Sequence, residues 1–226
     1  MRNFLADIRS FRRIKYRLVF RTFERALRYA KIKDEICMIP CGNGWYFYNF
    51  FKKDYKILGG DIDPKRARVS YKRALEIWTN GNRPPIMNVN LKNLPFKDNS
   101  FNCLITIRTI GHFPEDFRIA CLKEMKRVTK KWLLVQYANK YTVKYFFRKL
   151  LNSPKLDNKT KPRLLKDHTG KPEEYYRQFK ALTGLKKMNK EELAEEVGKA
   201  GLKIAKTFSL FPVLSERWYV LLEKAD

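Results

Sequence analysis

Cys41, Gly42, Asn43 and Gly44 close the apolar run Ile36–Ile39, and Asp61 closes the run Lys56–Asp61; these are the residues whose types and order could do chemistry. A strand ending in a glycine turn lets backbone N–H groups approach a ligand closely, and an acid ending the next strand can hold a ribose through its hydroxyls. Taken alone, the pattern fits a bound nucleoside cofactor and a merely tight strand-to-helix turn equally well. Farther along, Arg108 and His112 follow another apolar run, Phe101–Ile107. A guanidinium at the C-terminal end of a strand can clamp an anion bidentately, or pair with a neighbouring carboxylate such as Glu115. An imidazole titrates near neutrality, so His112 can serve as a general base or simply begin the helix that follows.

The elements that must position these groups alternate. Apolar residues at helical intervals among arginines predict a basic amphipathic helix from about Asp7 to Ala30. Strands are expected at Ile36–Ile39, Lys56–Asp61, Ile86–Val89, Phe101–Ile107 and Trp132–Tyr137. Helices are expected from Trp45, after the Asp63-Pro64 cap and first-turn proline, and over Glu115–Val128. Such alternation implies a parallel sheet. Beyond Lys140 the pattern loosens: Lys140–Leu150 reads as a short basic helix and Asn152–Pro172 as a polar cationic stretch, together an insertion or lid over 140–188. Asn189 with Glu192 predicts a capped helix over Lys190–Ala200, stopped by Gly201, and Leu202–Phe208 with Arg217–Glu223 reads as a closing antiparallel pair.

Composition bounds the function. The 226 residues, 44% hydrophobic and 14% aromatic, are those of one globular domain spanning 1–226, with 1–33 as its basic leading helix. No apolar run is long enough for a membrane span, the N-terminus lacks the apolar core of a signal peptide, and a cytoplasmic protein is expected. Cys37, Cys41, Cys103 and Cys121 lack metal-ligand spacing and read as buried thiols, and with two histidines no metal is expected. A net charge of +26 points to an anionic partner: RNA, or an anionic lipid surface or phosphorylated glycolipid, which allows attachment to the inner face of the membrane. Solvated lysine faces are the bland alternative.

Together these segments resemble a class I S-adenosylmethionine-dependent methyltransferase over most of the span Glu35–Lys224. Asn93–Phe101, Ile110–Pro114, Lys123–Val128 and Ser215–Val220 look like that family's later segments, in its order. The resemblance implies a Rossmann-like, doubly wound α/β sheet of seven strands, mostly parallel with a reversed last strand, and S-adenosyl-L-methionine as cofactor. It places Cys41, Gly42, Asn43 and Gly44 beneath the methionine moiety, Asp61 on both ribose hydroxyls, Ile62 beside the adenine, and Asn90 and Leu91 at its edge. Thr106 and Arg108 would line the place where donor meets acceptor, with Arg108 and His112 as candidates for the chemistry. Lid residues Arg148, Lys149, Arg163, Lys166 and Arg177, interleaved with Tyr141, Tyr145, Tyr175 and Tyr176, would suit an anionic acceptor. Met38, Asn90 and Asn102 stand where the family carries acids, and Pro40 where it carries glycine, a trait shared with a Pro-Cys-Gly subgroup that also has arginine at the position of Arg108. A less polar pocket, or a polyanion-binding protein on a degenerate scaffold, is the alternative these departures raise.

Overall fold

Strand β1 (Ile36–Met38) lies inside one eight-stranded sheet in the computed structural model, which describes residues 2–51, 53, 55–76, 85–142, 185–210 and 216–225. It pairs in parallel with β2 (Ile57–Asp61) on one side and β4 (Phe101–Thr106) on the other. Outside β2 comes β3 (Ile86–Asn88), and outside β4 comes β5 (Thr129–Asn139), both parallel. A two-residue β6 (Lys187–Met188) joins β5, so the seven expected strands gain an eighth. Buried Met188 anchors it, its carbonyl accepting the Lys140 N–H at 2.9 Å. Strands β7 (Leu202–Phe208) and β8 (Arg217–Lys224) complete the order β3-β2-β1-β4-β5-β8-β7. Among the described strands only β8 runs against its neighbours, which makes it the reversed strand. β5 outruns its expected Trp132–Tyr137 at both ends because pairing carries it on: Thr129 meets Phe101 of β4, and Ala138 meets Arg217 of β8.

Side chains of a strand alternate between the two sheet faces, and the buried residues sort accordingly. Ile36, Met38, Cys103, Ile105, Leu134, Tyr219 and Leu221 share one core with α1 (Arg2–Tyr29) and α2 (Phe47–Phe51). In α1, Val19, Phe20, Phe23, Ala26 and Leu27 are buried at helical spacing, and no glycine or proline stops the helix from starting at Arg2 rather than Asp7. Cys37, Leu104, Leu133, Val135, Tyr137 and Val220 face the other core, built with α4 (Glu115–Val128) and α5 (Lys190–Lys199).

Helix α3 (Pro64–Leu75) starts as its sequence dictates, with the Asp63 carboxylate accepting the Lys65 N–H at 3.0 Å and Pro64 in the first turn. Asn189 and Glu192 form the expected reciprocal cap of α5, at 2.7 and 2.9 Å. Between α4 and α5 the Arg118 guanidinium is buried on Glu196 and also donates to the Phe113 carbonyl at 2.7 Å, which ties both helices to the turn after β4. All four cysteines are buried free thiols. Among the described residues no helix is long and apolar enough to cross a membrane, and no three His, Cys, Asp or Glu side chains cluster to hold a metal ion. Residues 143–184, and with them most of the expected lid and its basic helix, lie outside the described residues.

Candidate active site

The turn after β1 crosses the end of the sheet because Asp61 holds it there. Asp61 closes β2, is 1% exposed, and accepts the Gly42 N–H at 2.8 Å through Oδ2 and the Asp63 N–H at 3.0 Å through Oδ1. Burial pushes its carboxyl above the ordinary range, against the opposing pull of those two N–H donors and of Arg66. Each oxygen keeps a further lone pair for a hydroxyl.

Gly42 and Gly44 both sit at positive φ, +59° and +73°. A Cβ on Gly42 would meet nothing within 4 Å, so open space lies over that backbone. A Cβ on Gly44 would fall 2.7 Å from the Ser70 Oγ and 3.1 Å from its Cα, so this glycine is what lets α3 pack against the turn. Arg73 of α3 fastens the same turn, donating to the Asn43 carbonyl and placing its guanidinium 4.0 Å from the centre of the Trp45 ring.

A cleft of about 250 Å³ opens over this turn, with Pro40, Cys41, Gly42 and Asn43 as its floor. Tyr16 of α1 with Trp45 and Tyr46 makes an aromatic wall, and Arg66 of α3 stands at the edge. Tyr16 stacks on Trp45 with centroids 5.3 Å apart and meets Tyr46 edge-on at 5.1 Å. Ile107, Arg108 and Thr109, following β4, close the other side. Burial pushes the Cys41 thiol up to about 12, so it is protonated at neutral pH.

Arg108 is the exposed cation of this wall. Its backbone is left-handed, φ +57°, a conformation a residue with a side chain adopts at a cost, and its N–H donates to the Gln136 Oε1 at 3.2 Å. Glu115, the carboxylate expected as a partner, instead holds Lys199 at 2.9 Å, and Arg108 makes no ion pair with any described residue. Its charge reaches Tyr46 and Tyr219, pulling down hydroxyls that burial pushes up.

Of the residues singled out from the sequence, Cys41, Gly42, Asn43 and Arg108 line the cleft, and Asp61 anchors its floor from beneath. Half-buried Ile62 follows Asp61, its carbonyl accepting Asn88 Nδ2 at 3.0 Å. Asn90 is half-buried with its Oδ1 accepting the Lys92 N–H at 3.0 Å, while Leu91 packs in the core beside Val89 and Leu94. Thr106 is fully buried, and its hydroxyl has no hydrogen-bond partner among the described residues. His112 does not line the cleft: it ends a 3₁₀ turn, Ile110–His112, with α4 starting only at Glu115 after Pro114.

Of the four sequence departures, Pro40 lines the cleft floor, while Met38 and Asn102 lie elsewhere. Met38 is buried in the core that faces α1 and does not line the cleft, so its missing carboxylate leaves the lining unchanged. Asn102, near the start of β4 and at the other end of the sheet, donates to the Asp34 Oδ1 at 3.0 Å. Tyr16, Trp45, Arg66 and Arg73 were not foreseen. Tyr16 carries only the signal of a helical apolar stripe, and what brings it to the cleft is the packing of α1 across the sheet.

Residues 36–132 match a family model described as a methyltransferase domain. No curated protein sequence matches the chain. Among solved structures it is similar to a magnesium protoporphyrin IX methyltransferase from Synechocystis with bound S-adenosylhomocysteine, at 17% identity, TM-score 0.65, covering 97% of this chain and 86% of that one. A S-adenosylmethionine-dependent methyltransferase from Clostridium acetobutylicum matches at 11% identity and TM-score 0.64, over 93% of this chain and 92% of its own. One from Thermotoga maritima matches at 18% identity and TM-score 0.58, over 98% and 97%. Residues 36–132 thus resemble a methyltransferase domain, and the chain has the fold of class I S-adenosylmethionine-dependent methyltransferases.

Proposed function

From the premise of a methyltransferase domain, we propose that the protein transfers a methyl group from S-adenosylmethionine to an anionic acceptor, either RNA or a phosphorylated cell-envelope intermediate. The observation that carries the cofactor half is the Asp61 carboxylate, buried at the end of β2 and bonded to the turn that floors the cleft. The open space over Gly42 and the spare lone pairs of Asp61 fit a nucleoside joined to an amino-acid chain. When bound, the cofactor would supply an electrophilic methyl group: the acceptor's lone pair would bond to that carbon in line as the C–S bond breaks, its electron pair leaving on the neutral thioether sulfur.

The residues of this chain position the reactants, which can supply much of the rate. Asp61 receives the ribose hydroxyls, the Cys41–Gly44 turn carries the amino-acid end, and Tyr16 with Trp45 walls the cleft. Arg108 receives the acceptor's anionic group, as a guanidinium without a carboxylate partner among the described residues can. His112 lies off the cleft lining, so we assign the acceptor proton to solvent through the open cleft rather than to a fixed base.

Calorimetric titration with S-adenosylmethionine and S-adenosylhomocysteine tests the cofactor half, with Asp61→Ala expected to abolish binding; absence of binding by the native protein at millimolar ligand overturns it. Labelled cofactor offered with RNA and with a lipid extract then separates the two acceptors. The alternative of a degenerate, polyanion-binding scaffold rests on the net charge of +26 with Met38 and Asn102; neither of those two residues lines the cleft, and the charge alone remains in its favour.

A further inference from the structure

A second concavity, about 470 Å³, opens at the end of the sheet away from the cleft. The cleft lies beyond the C-terminal ends of the parallel strands, whereas Asn99 precedes β4 and Gly201 precedes β7. Lys123, Lys126 and Arg127 of α4, Lys199 of α5 and Lys224 of β8 turn its walls strongly cationic, against one acid, Asp98.

The carboxylates within reach are already committed. Asp98 holds Arg127 at 2.6 Å, Glu124 holds Arg127 at 2.7 Å, Glu115 and Glu195 each hold Lys199 at 2.9 Å, and Glu223 holds Lys131 and Lys203. Lys123, Lys126 and Lys224 form no ion pair among the described residues, although the Asp98 carboxylate acts on Lys224 from a distance. The Lys224 ammonium donates instead to a neutral acceptor, the Asn99 Oδ1, at 2.6 Å. Asn99 is held in a left-handed conformation, φ +56°, with its N–H on the Arg127 carbonyl at 3.0 Å. The Lys126 ammonium lies over Gly201, where a Cβ would be only 2.6 Å from it. Burial, and then the nearby Lys126 charge, lower the Lys224 pKa, and Asp98 offsets only part of that. Negative helix ends offset part of this charge, about half a unit each for α4 and α5, but not all of it.

Two ammonium groups without an ion-pair partner among the described residues, converging in a concave site, are a receptor for a multiply charged oxyanion. Among the described residues no aromatic ring lines the cup, so none of them offers a base or planar ring a surface to stack on. We propose that this cup binds a phosphate group, remote from the methyl-transfer cleft and independent of it.

Titration of the full chain with inorganic phosphate and with pyrophosphate at low salt, read by calorimetry, tests this. Lys126→Gln and Lys224→Gln are each expected to weaken pyrophosphate binding about tenfold, with thermal unfolding confirming that both variants fold. Lys206→Gln removes the same charge outside the cup and Arg108→Gln removes one in the cleft; each is expected to change binding by less than about twofold. A loss of equal size in Lys206→Gln would mean a diffuse field, and one in Arg108→Gln would mean binding in the cleft; either overturns the proposal, as does absence of binding by the native chain at millimolar pyrophosphate. Sedimentation with phosphatidic-acid vesicles, lost in the same two lysine variants, identifies a lipid headgroup as the source; pyrophosphate binding without vesicle retention identifies a soluble phosphate.

Discussion

The Asp61 carboxylate accepts the Gly42 N–H at 2.8 Å, so the acid at the end of β2 is also the peg that fixes the turn after β1. An amide at this position cannot accept both the Gly42 and the Asp63 N–H through separate oxygens. Asp61→Asn is therefore expected to destabilise the fold by about 1–3 kcal/mol, because a buried donor is left unmet. Chemical denaturation measures this, and an unchanged midpoint would refute the peg.

Asp61 also sets an expectation for pH. Burial raises its carboxyl above the unfolded value, so its contribution to stability is fully present below the unfolded pKa and is lost as pH rises through the higher folded one. Cofactor affinity runs the opposite way, since a protonated carboxyl no longer accepts from two hydroxyls. Binding of S-adenosylhomocysteine should weaken as pH falls through a value above the ordinary aspartate range, and Asp61→Asn should flatten that step.

Gly44→Ala combines a left-handed backbone with a clash 2.7 Å from the Ser70 Oγ, which rotation can relieve, and a tight 3.1 Å approach to the Ser70 Cα, which it cannot. A cost of about 1–3 kcal/mol is expected, together with weaker cofactor binding. Adding Ser70→Gly removes the Oγ contact but not the backbone one, so the double variant should recover only part of the loss on thermal unfolding.

Arg118 and Glu196 are 5% and 3% exposed, so truncating one strands the other in the core. Arg118→Met should cost about 3–5 kcal/mol in urea unfolding, and Arg118→Met with Glu196→Met together should cost clearly less. Equal losses in the single and the double variant would mean that packing rather than charge carries the effect.

Arg108→Gln is expected to raise the acceptor's KM about tenfold or more while the Kd for S-adenosylhomocysteine moves less than about twofold. If the cofactor Kd moves instead, Arg108 grips the amino-acid end of the cofactor and not the acceptor.

Much of this architecture was legible because it is local. Asp63-Pro64 and Asn189 with Glu192 announce helix starts through hydrogen bonds made within one turn, and both form as expected. Glu115–Val128 keeps its expected bounds, and the apolar runs place the five parallel strands β1–β5. The two-residue β6 escapes, because it has no pattern of its own and exists only through its ladder to β5.

The site divides along the same line. Sequence by itself determined the glycine turn, the acid closing β2 and the arginine after β4, because residue type and order along successive strands imply that their ends share one edge of a parallel sheet. Tertiary structure alone decided which way each side chain faces and what reaches it from far along the chain. Strand alternation turned Met38 into the core against α1, the position of Asn102 at the start of β4 took it to the opposite end, and a short 3₁₀ turn kept His112 off the cleft lining. Packing of α1 and α3 brought Tyr16, Arg66 and Arg73 to a turn whose own sequence holds no trace of them. The physical reason is that spacing encodes contacts within an element, while contacts between elements depend on the angles and registers at which whole helices and strands come to rest.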